Sequence, residues 1–431
     1  MQTRPRPLYG FLFALLAATS TWFYFIEILK PMQVADAAAH NRPRGNLSDL
    51  YPRWLGAREL LLRGRNPYSS EITIEIQKGY YGRALDTARP EDPKDQQGFA
   101  YPVYVVFILA PVIGFSFHTV QTLFHWLLIG ITAASVLLWL RTLPWKLPRL
   151  VIASCVVLTL GSVPAVQGIK LQQLSLLVAA LLAASAASAA SGFPFLGGSI
   201  LALATIKPQL AWPLVAWLLL WAASEWKTRR RLVFGFATMM ALLLIASEVI
   251  LPGWWRMFLQ AVRQYHQYTQ NESILELMLG PLGGMILAAI ASLGTGGLVW
   301  KLRHEQAGSE GLGGAIALVL TLTVLVVPMY APYNQVLLLP AILLLARDSH
   351  ALTSSSRSAR VLYVSTCVVL IWPWLASMGL AAAWLVSSAA ALRGWKLPFY
   401  ATFVLPLLVF ALALLDAQRR SRGLRVRDAA E

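Results

Sequence analysis

Long apolar runs alternate with short polar segments along most of this chain. Each run approaches the roughly 20 residues that a helix needs to cross a bilayer core. Only helices or closed barrels satisfy their backbone groups in lipid, and such long uninterrupted runs indicate helices. We therefore expect an all-α integral membrane protein with about 12 transmembrane helices. The runs lie at about 8–29, 101–117, 119–140, 150–166, 174–190, 193–206, 209–223, 232–251, 281–300, 313–328, 334–346, 361–392 and 398–416.

Basic residues in the connecting segments predict the orientation of these helices. Under the positive-inside rule, the basic segments near 227–231, 301–303 and 347–360 and the basic tail 417–431 are cytoplasmic. The loops 30–100 and 252–279 then lie outside. An outside start and finish between 101 and 206 require an even number of crossings, but five apolar runs are present. One run is therefore not a full span, and we expect it within 101–140.

Composition supports one membrane domain over residues 1–431. The chain is 57% hydrophobic and 13% charged, which is too apolar for a soluble protein of this size. The net charge of +16 comes from Lys and Arg in short loops, which favours membrane anchoring over nucleic-acid binding. Cys155 and Cys367 both lie in apolar runs, so neither a disulfide framework nor a thiolate metal site is indicated.

The polar loop 30–100 holds nine of the twenty acidic residues. It is therefore the main candidate region for acid–base catalysis. Within it, Asp49 is placed to cap a helix that runs from Leu50 to Arg63 and is followed by Gly64. We expect this helix to lie in the membrane interface, with Leu50 and Trp54 facing lipid and the arginines facing phosphate groups.

Several motifs on the predicted outer side resemble one family when taken in order. They resemble the polyprenol-phosphate-mannose-dependent glycosyltransferases of the GT-C superfamily, which include mycobacterial mannosyltransferases of phosphatidylinositol mannoside and lipoglycan synthesis. The resemblance spans roughly residues 8–345 and implies a GT-C-type helical bundle whose large first extracytoplasmic loop is catalytic and carries interfacial helices. The motifs are Asp49 to Tyr68, Tyr101-Pro102-Val103, Gln172-Gln173-Leu174-Ser175, Lys207-Pro208-Gln209 and Asn271-Glu272-Ser273-Ile274.

Three segments depart from the family pattern. Val103 stands where a second Pro is usual, and Gln172 and Ser175 stand where the turn usually has Gly and Asn. The turn from Tyr330 to Asn334 lacks the His or Asp that mannosyltransferases of the family often carry. The sugar and the acceptor therefore stay open, whereas the transferase class does not depend on these positions.

The resemblance implies that Asp49 is the catalytic base, which takes a proton from the acceptor hydroxyl. The alternative is that Asp49 only caps the interfacial helix. Lys207, at the outer end of a helix, is the candidate cation for the leaving phosphate, and its alternative role is that of a snorkelling lysine. Asp36 and Glu27 are the reserve carboxylates.

The remaining candidates fall into two groups. Arg53 and Arg58 are further candidate donor-phosphate ligands, with plain headgroup contacts as their alternative role. The candidates for contacts with the sugar or acceptor are Tyr101, Gln173, Gln209, Asn334, Glu248 and His266. The alternative for Tyr101, Gln173 and Asn334 is an interhelical hydrogen bond. The alternative for Glu248 is a pair with Arg256, and that for His266 is an exposed loop position.

No metal ligand set is evident, so we expect catalysis without a metal or cofactor. The expected partners are a polyprenyl-phosphate sugar, a glycolipid or glycan acceptor, and membrane lipids. We expect a multi-pass protein of a bacterial plasma membrane, with its site facing outward. A transporter or flippase for lipid-linked sugars is the main alternative, although neither deep ionisable residues nor internal symmetry are apparent. A scaffold without chemistry is a third possibility.

Overall fold

The computed structural model describes residues 7–41, 48–86, 88–269, 272–328 and 330–428, with side chains up to 421. These residues form helices and no strand, which confirms the predicted all-α class. Asn271 lies outside the described residues. The α-helices are α1 (Pro7–Phe23), α2 (Lys30–Ala39), α3 (Tyr51–Arg63), α4 (Ser70–Tyr81), α5 (Val105–Leu109), α6 (Phe117–Thr142), α7 (Arg149–Leu160), α8 (Val163–Lys170), α9 (Leu174–Ala190), α10 (Pro194–Ala204), α11 (Pro208–Ser224), α12 (Trp226–Ile250), α13 (Trp254–Thr269), α14 (Ile274–Lys301), α15 (Glu310–Val326), α16 (Leu339–Arg347), α17 (Ser349–Ser355), α18 (Arg357–Val386), α19 (Ser388–Arg393) and α20 (Val404–Asp428).

The described residues contain fewer candidate membrane crossings than the predicted number. Six helical stretches of the described chain are long and apolar enough to cross a bilayer, and two bent pairs would raise the number to eight. About twelve crossings are therefore not confirmed. Hydropathy counts apolar runs, whereas a crossing needs one helix of sufficient length, and α9 and α10 have only 17 and 11 residues. The six stretches are Pro7–Ala39, Phe117–Thr142, Trp226–Ile250, Ile274–Lys301, Arg357–Val386 and Ser388–Ser421.

The apolar run at 101–117 forms no spanning helix. It contains α5, which has five residues, and a 3-10 turn at Ala110–Val112. The long helix α6 starts only after Ser116, whose side chain accepts a hydrogen bond from Thr119 N. This is the region in which the charge pattern predicts an incomplete span.

Glycines allow α10 and α12 to pack in close contact. A Cβ atom at Gly198 would lie 1.9 Å from the carbonyl oxygen of Leu232, and one at Gly235 would lie 2.0 Å from that of Phe195. Small residues at such crossings let two backbones approach each other in membrane proteins. The hairpin of α9 and α10, which turns at residues 191–193, is therefore held firmly against the bundle. Because the two helices are antiparallel, Gln173 before α9 and Lys207 after α10 reach the same end of the fold.

The basic segments gather at the other end. Arg229 donates a hydrogen bond of 2.8 Å to the carbonyl oxygen of Arg303, and Arg347 donates one of 2.6 Å to that of Leu143. Arg420 forms an ion pair of 2.9 Å with Glu310 and another with Asp348. The separation of the two ends agrees with the charge rule used above, although the orientation in a membrane stays a prediction.

Two expectations about α3 are wrong. Asp49 does not cap the helix, because the N-cap residue is Leu50 and no side chain caps it. Leu50 and Trp54 are buried against the bundle instead of facing lipid, since only 0% and 5% of their surface is exposed. The C-terminus matches the prediction: Gly64 follows the last turn with φ of 64°, a conformation that glycine adopts without strain.

Candidate active site

A cavity of about 640 Å³ opens at the end of the bundle that carries Gln173 and Lys207. The first loop, α13, and the segment before α16 form its walls. We call it the acid cavity, because two carboxylates line it. Its lining includes Asp49, Arg53, Asp95, Tyr101, Gln173, Lys207, Tyr265, Tyr268 and Tyr333.

The Asp49 carboxylate is held by two side chains from distant parts of the chain. One oxygen accepts a hydrogen bond of 3.2 Å from the hydroxyl of Tyr80, and the other accepts one from the side-chain amide of Gln173. The Asp49 backbone N–H donates to the carbonyl oxygen of Leu171 at 2.9 Å. The first loop is thereby tied to the turn before α9, and the carboxylate has a fixed direction.

The protonation of Asp49 reflects a balance between burial and its neighbours. Burial raises the pKa of Asp49 above its ordinary value. The charges of Arg53 and Lys207 and the hydrogen bonds from Tyr80 and Gln173 act in the opposite direction. The net result is a carboxyl group with a raised pKa, which suits a group that must accept a proton.

Lys207 lies inside the protein, with 4% of its surface exposed. Its ammonium group donates a hydrogen bond of 2.6 Å to the hydroxyl of Ser175 and one of 3.4 Å to the side-chain oxygen of Gln173. The ring of Tyr333 lies 5.2 Å away. These contacts hold the ammonium group in the acid cavity, so Lys207 is not a snorkelling lysine.

Arg53 brings a second cation to the acid cavity. Its guanidinium group lies 4.6 Å from the centre of the Tyr101 ring and donates a hydrogen bond of 2.7 Å to the carbonyl oxygen of Asp49. Its Nε atom is buried and has no hydrogen-bond partner among the described residues. A buried donor without a partner is costly, so this arginine carries an energetic penalty that the protein retains at the cavity wall.

The other predicted site residues divide into two sets. Tyr101, Gln209 and His266 line the acid cavity together with Gln173. Arg58, Asn334 and Glu248 do not line it.

Each residue of the second set has a different contact. Arg58 lies 5.3 Å from the centre of the Trp54 ring, and Asn334 is buried and accepts a hydrogen bond of 2.9 Å from Ser175. Glu248 is exposed and accepts a hydrogen bond from the backbone of Gly253 instead of pairing with Arg256. The geometry gives these three residues no direct contact with a ligand in the acid cavity.

Two residues of the site were not predicted, because neither belongs to a recognisable sequence motif. Tyr80 lies near the end of α4, and Asp95 lies in the irregular segment after it. Asp95 accepts hydrogen bonds of 2.9 Å from the backbone and side chain of Gln97, and burial raises its pKa. Asp95 was visible only as one of the nine acidic residues of the loop. Nothing in the spacing around Tyr80 indicates its contact with Asp49.

The comparison with protein families decides the class of this chain. The model described as glycosyltransferase family 87 matches residues 99–328, which is more than half of the chain. The chain belongs to glycosyltransferase family 87. This family is of the GT-C type and depends on polyprenol-phosphate-mannose. No curated protein and no solved structure matches the chain.

The family match covers some residues of the acid cavity and leaves others outside it. The matched range contains Tyr101, Gln173 and Lys207, but Asp49 and Arg53 precede it. The family makes the chain a transferase with a lipid-linked sugar donor and an acceptor. The role of Asp49 depends on the geometry described above and remains to be tested.

Proposed function

We propose that the chain transfers a hexose, with mannose as the first candidate, from a polyprenyl phosphate to a hydroxyl group of a glycolipid or glycan. The observation that carries the proposal is the side-chain amide of Gln173, which donates to Asp49 and accepts from Lys207. A general base and a phosphate-binding cation are the two groups that such a transfer needs most. Here one side chain joins them within the acid cavity.

The reaction is a single displacement with inversion at the sugar. Asp49 takes the proton from the acceptor hydroxyl as its oxygen attacks the anomeric carbon. The bond from that carbon to the phosphate oxygen breaks, and the polyprenyl phosphate leaves with the electron pair. The raised pKa of Asp49 supports this role, because the carboxyl group can hold the proton after transfer.

The leaving phosphate would be bound by Lys207 and Arg53. Both side chains line the acid cavity with Asp49, so two cations face the space in which the phosphate would lie. In the transition state the negative charge on the phosphate grows. Cations that contact the phosphate then interact with it more strongly, which lowers the energy barrier of the reaction. Tyr101, Gln209 and His266 are then placed to contact the sugar.

We place the reaction on the extracytoplasmic face of a bacterial plasma membrane. The basic segments lie at the end of the bundle opposite the acid cavity, and positively charged loops stay on the cytoplasmic side. Residues 30–100 are then the outer catalytic loop, 252–279 the second outer loop and 417–431 the cytoplasmic tail.

The test is sugar transfer from radiolabelled polyprenyl-phosphate-mannose into membrane lipids by purified protein in liposomes. We expect transfer by the wild type and a loss of about a hundredfold or more for Asp49→Asn, the range for removal of a general base. Lys207→Met should also reduce transfer strongly. Asp36→Asn is the matched control, because Asp36 is exposed and does not line the acid cavity.

Three results would contradict the proposal in different ways. Equal transfer by the wild type and Asp49→Asn would remove Asp49 as the base. Transfer from a nucleotide sugar but not from the lipid donor would change the donor class. Movement of the lipid-linked sugar across the bilayer without any transfer would favour a flippase.

A further inference from the structure

A second cavity of about 780 Å³ lies next to the acid cavity. The same three residues, Gly98, Ala100 and Tyr268, line both cavities and form the partition between them. A Cβ atom at Gly98 would lie 3.7 Å from the hydroxyl of Tyr268, which is ordinary van der Waals contact, so these two residues adjoin in the partition. We call the second space the amide cavity.

Helix α13 forms a wall of both cavities with its different faces. Phe258, Val262 and Tyr265 line the acid cavity. Gln260 and Gln264, which are four residues apart and therefore share one side of the helix, line the amide cavity. Ligands in the two cavities would therefore lie on either side of one helix.

The chemistry of the amide cavity differs from that of its neighbour. Its polar lining is made of amides and hydroxyl groups, and no described residue that lines it is acidic, basic or histidine. The acid cavity, by contrast, contains Asp49, Arg53, Asp95 and Lys207. A phosphate or carboxylate in the amide cavity would find no opposite charge, so the lining favours a neutral polar ligand.

The opposite wall of the amide cavity is an ordered structure. Gln77 has only 4% of its surface exposed; its amide group donates to the side-chain oxygen of Gln96 at 2.9 Å and accepts from the backbone of Leu85 at 3.0 Å. Asn66 contacts the sulfur of Met257 on α13 at 3.1 Å. The first loop and α13 thus face each other across the amide cavity, and the contact of Asn66 with Met257 joins them at its edge.

We propose that the amide cavity, whose volume of about 780 Å³ has room for more than one sugar ring, is a subsite for the neutral glycan part of the acceptor. Amide groups donate and accept in the same plane and match sugar hydroxyls, which also do both. The rings of Tyr68 and Tyr268 line the cavity and offer apolar faces for sugar C–H groups. The terminal hydroxyl of the glycan would pass the partition at Tyr268 and reach Asp49. The orientation of the bound glycan, with its terminal hydroxyl toward Asp49, depends on the proposed function. The binding of the glycan can be measured without the donor.

The experiment is saturation-transfer NMR on the purified full-length protein, with no donor present. The probes are methyl trisaccharide glycosides of mannose, glucose or galactose, each compared with its methyl monosaccharide, and trigalacturonate as an anionic trisaccharide. The variant is Gln260→Ala with Gln264→Ala, both exposed helix positions at which alanine is well tolerated. Gln306→Ala is the control, an exposed glutamine near the start of α15 that lines neither cavity.

We expect at least one neutral trisaccharide to bind more tightly than its monosaccharide. The double variant should weaken that binding about tenfold or more, which corresponds to the loss of two hydrogen bonds, and Gln306→Ala should not change it. Binding that is unchanged in the double variant would overturn the proposal, as would preference for trigalacturonate or absence of any trisaccharide binding. If the double variant fails to fold, Gln264→Leu alone replaces it, with an expected loss of about threefold, because only one of the two hydrogen bonds is removed.

The two proposals can fail separately. Trisaccharide binding at Gln260 and Gln264 without any sugar transfer would contradict the proposed function and leave the subsite in place. Sugar transfer by a protein whose trisaccharide affinity does not depend on these glutamines would support the proposed function and contradict the subsite.

Discussion

The side-chain amide of Gln173 donates a hydrogen bond to the carboxylate of Asp49, although 124 positions separate the two residues in the chain. The same amide group accepts a hydrogen bond from Lys207 through its oxygen. The orientation of the amide is therefore determined from both sides. One neutral side chain sets the positions of the proposed base and of the proposed phosphate ligand relative to each other.

Gln173→Ala should reduce the rate of sugar transfer about ten- to a hundredfold, the cost of losing a hydrogen bond to a charged group. The loss should appear in kcat more than in the donor KM, because the position of the base is disturbed. Steady-state kinetics with radiolabelled donor measures both. Gln306→Ala is the control, and equal kinetics for both variants would show that the bridge has no catalytic role.

Tyr80→Phe should move the acid limb of the pH–rate profile to higher pH. Burial raises the pKa of Asp49, whereas the hydrogen bond from Tyr80 lowers it, so removal of that bond raises the pKa further. The base then loses its active, ionised form at a higher pH. The neighbouring Tyr81→Phe is the control, because Tyr81 donates to the backbone oxygen of Asp95. Coincident profiles for Tyr80→Phe and the wild type would contradict the assignment of Asp49.

Arg53→Gln and Arg58→Gln form a matched pair on α3. Arg53 lines the acid cavity and Arg58 does not, so we expect only Arg53→Gln to raise the KM for the lipid donor, by about tenfold, the loss of one charge-assisted contact. Donor titrations with both variants measure the difference. A larger effect at Arg58 would restore its sequence-based assignment as a phosphate ligand.

Asp49→Asn should unfold at a higher temperature than the wild type at pH 7, by a few degrees. The pKa of Asp49 is higher in the folded state than in the unfolded state, so the ionised carboxylate destabilises the folded state at pH values above that pKa. The advantage of the variant should therefore shrink as the pH falls through the folded pKa. Thermal unfolding followed by tryptophan fluorescence tests this, with Asp36→Asn as the exposed control. A variant less stable than the wild type would show that the site is not strained by the charge.

The sequence indicated the all-α class, and it singled out three side chains that lie together in the structure. Asp49, Gln173 and Lys207 lie in short motifs at helix ends, and the structure brings these three side chains together. Tyr80 was missed because its contact depends on how α4 packs, which no local pattern encodes. Asn334 was assigned to the sugar because a buried amide looks the same in sequence whether it faces a ligand or Ser175.

The predicted number of crossings is not confirmed, for a different reason. An apolar run records only that a segment avoids water, and it does so equally in a full span, a half-length helix or a bent pair. The runs at 150–166 and 174–190 illustrate this, because the first spans two helices bent by 57° and the second forms a helix of 17 residues.

The hairpin of α9 and α10 restricts which kinds of mutation this protein can accumulate. Gln173 precedes one arm and Lys207 follows the other, so the number of residues in each arm determines where both side chains point. Many single substitutions within the arms keep that number, but one inserted or deleted residue turns the end of an arm by about 100°. In evolutionary terms, residues 174–204 should exclude changes of length more strictly than substitutions, except at Gly198, where any side chain would clash with α12.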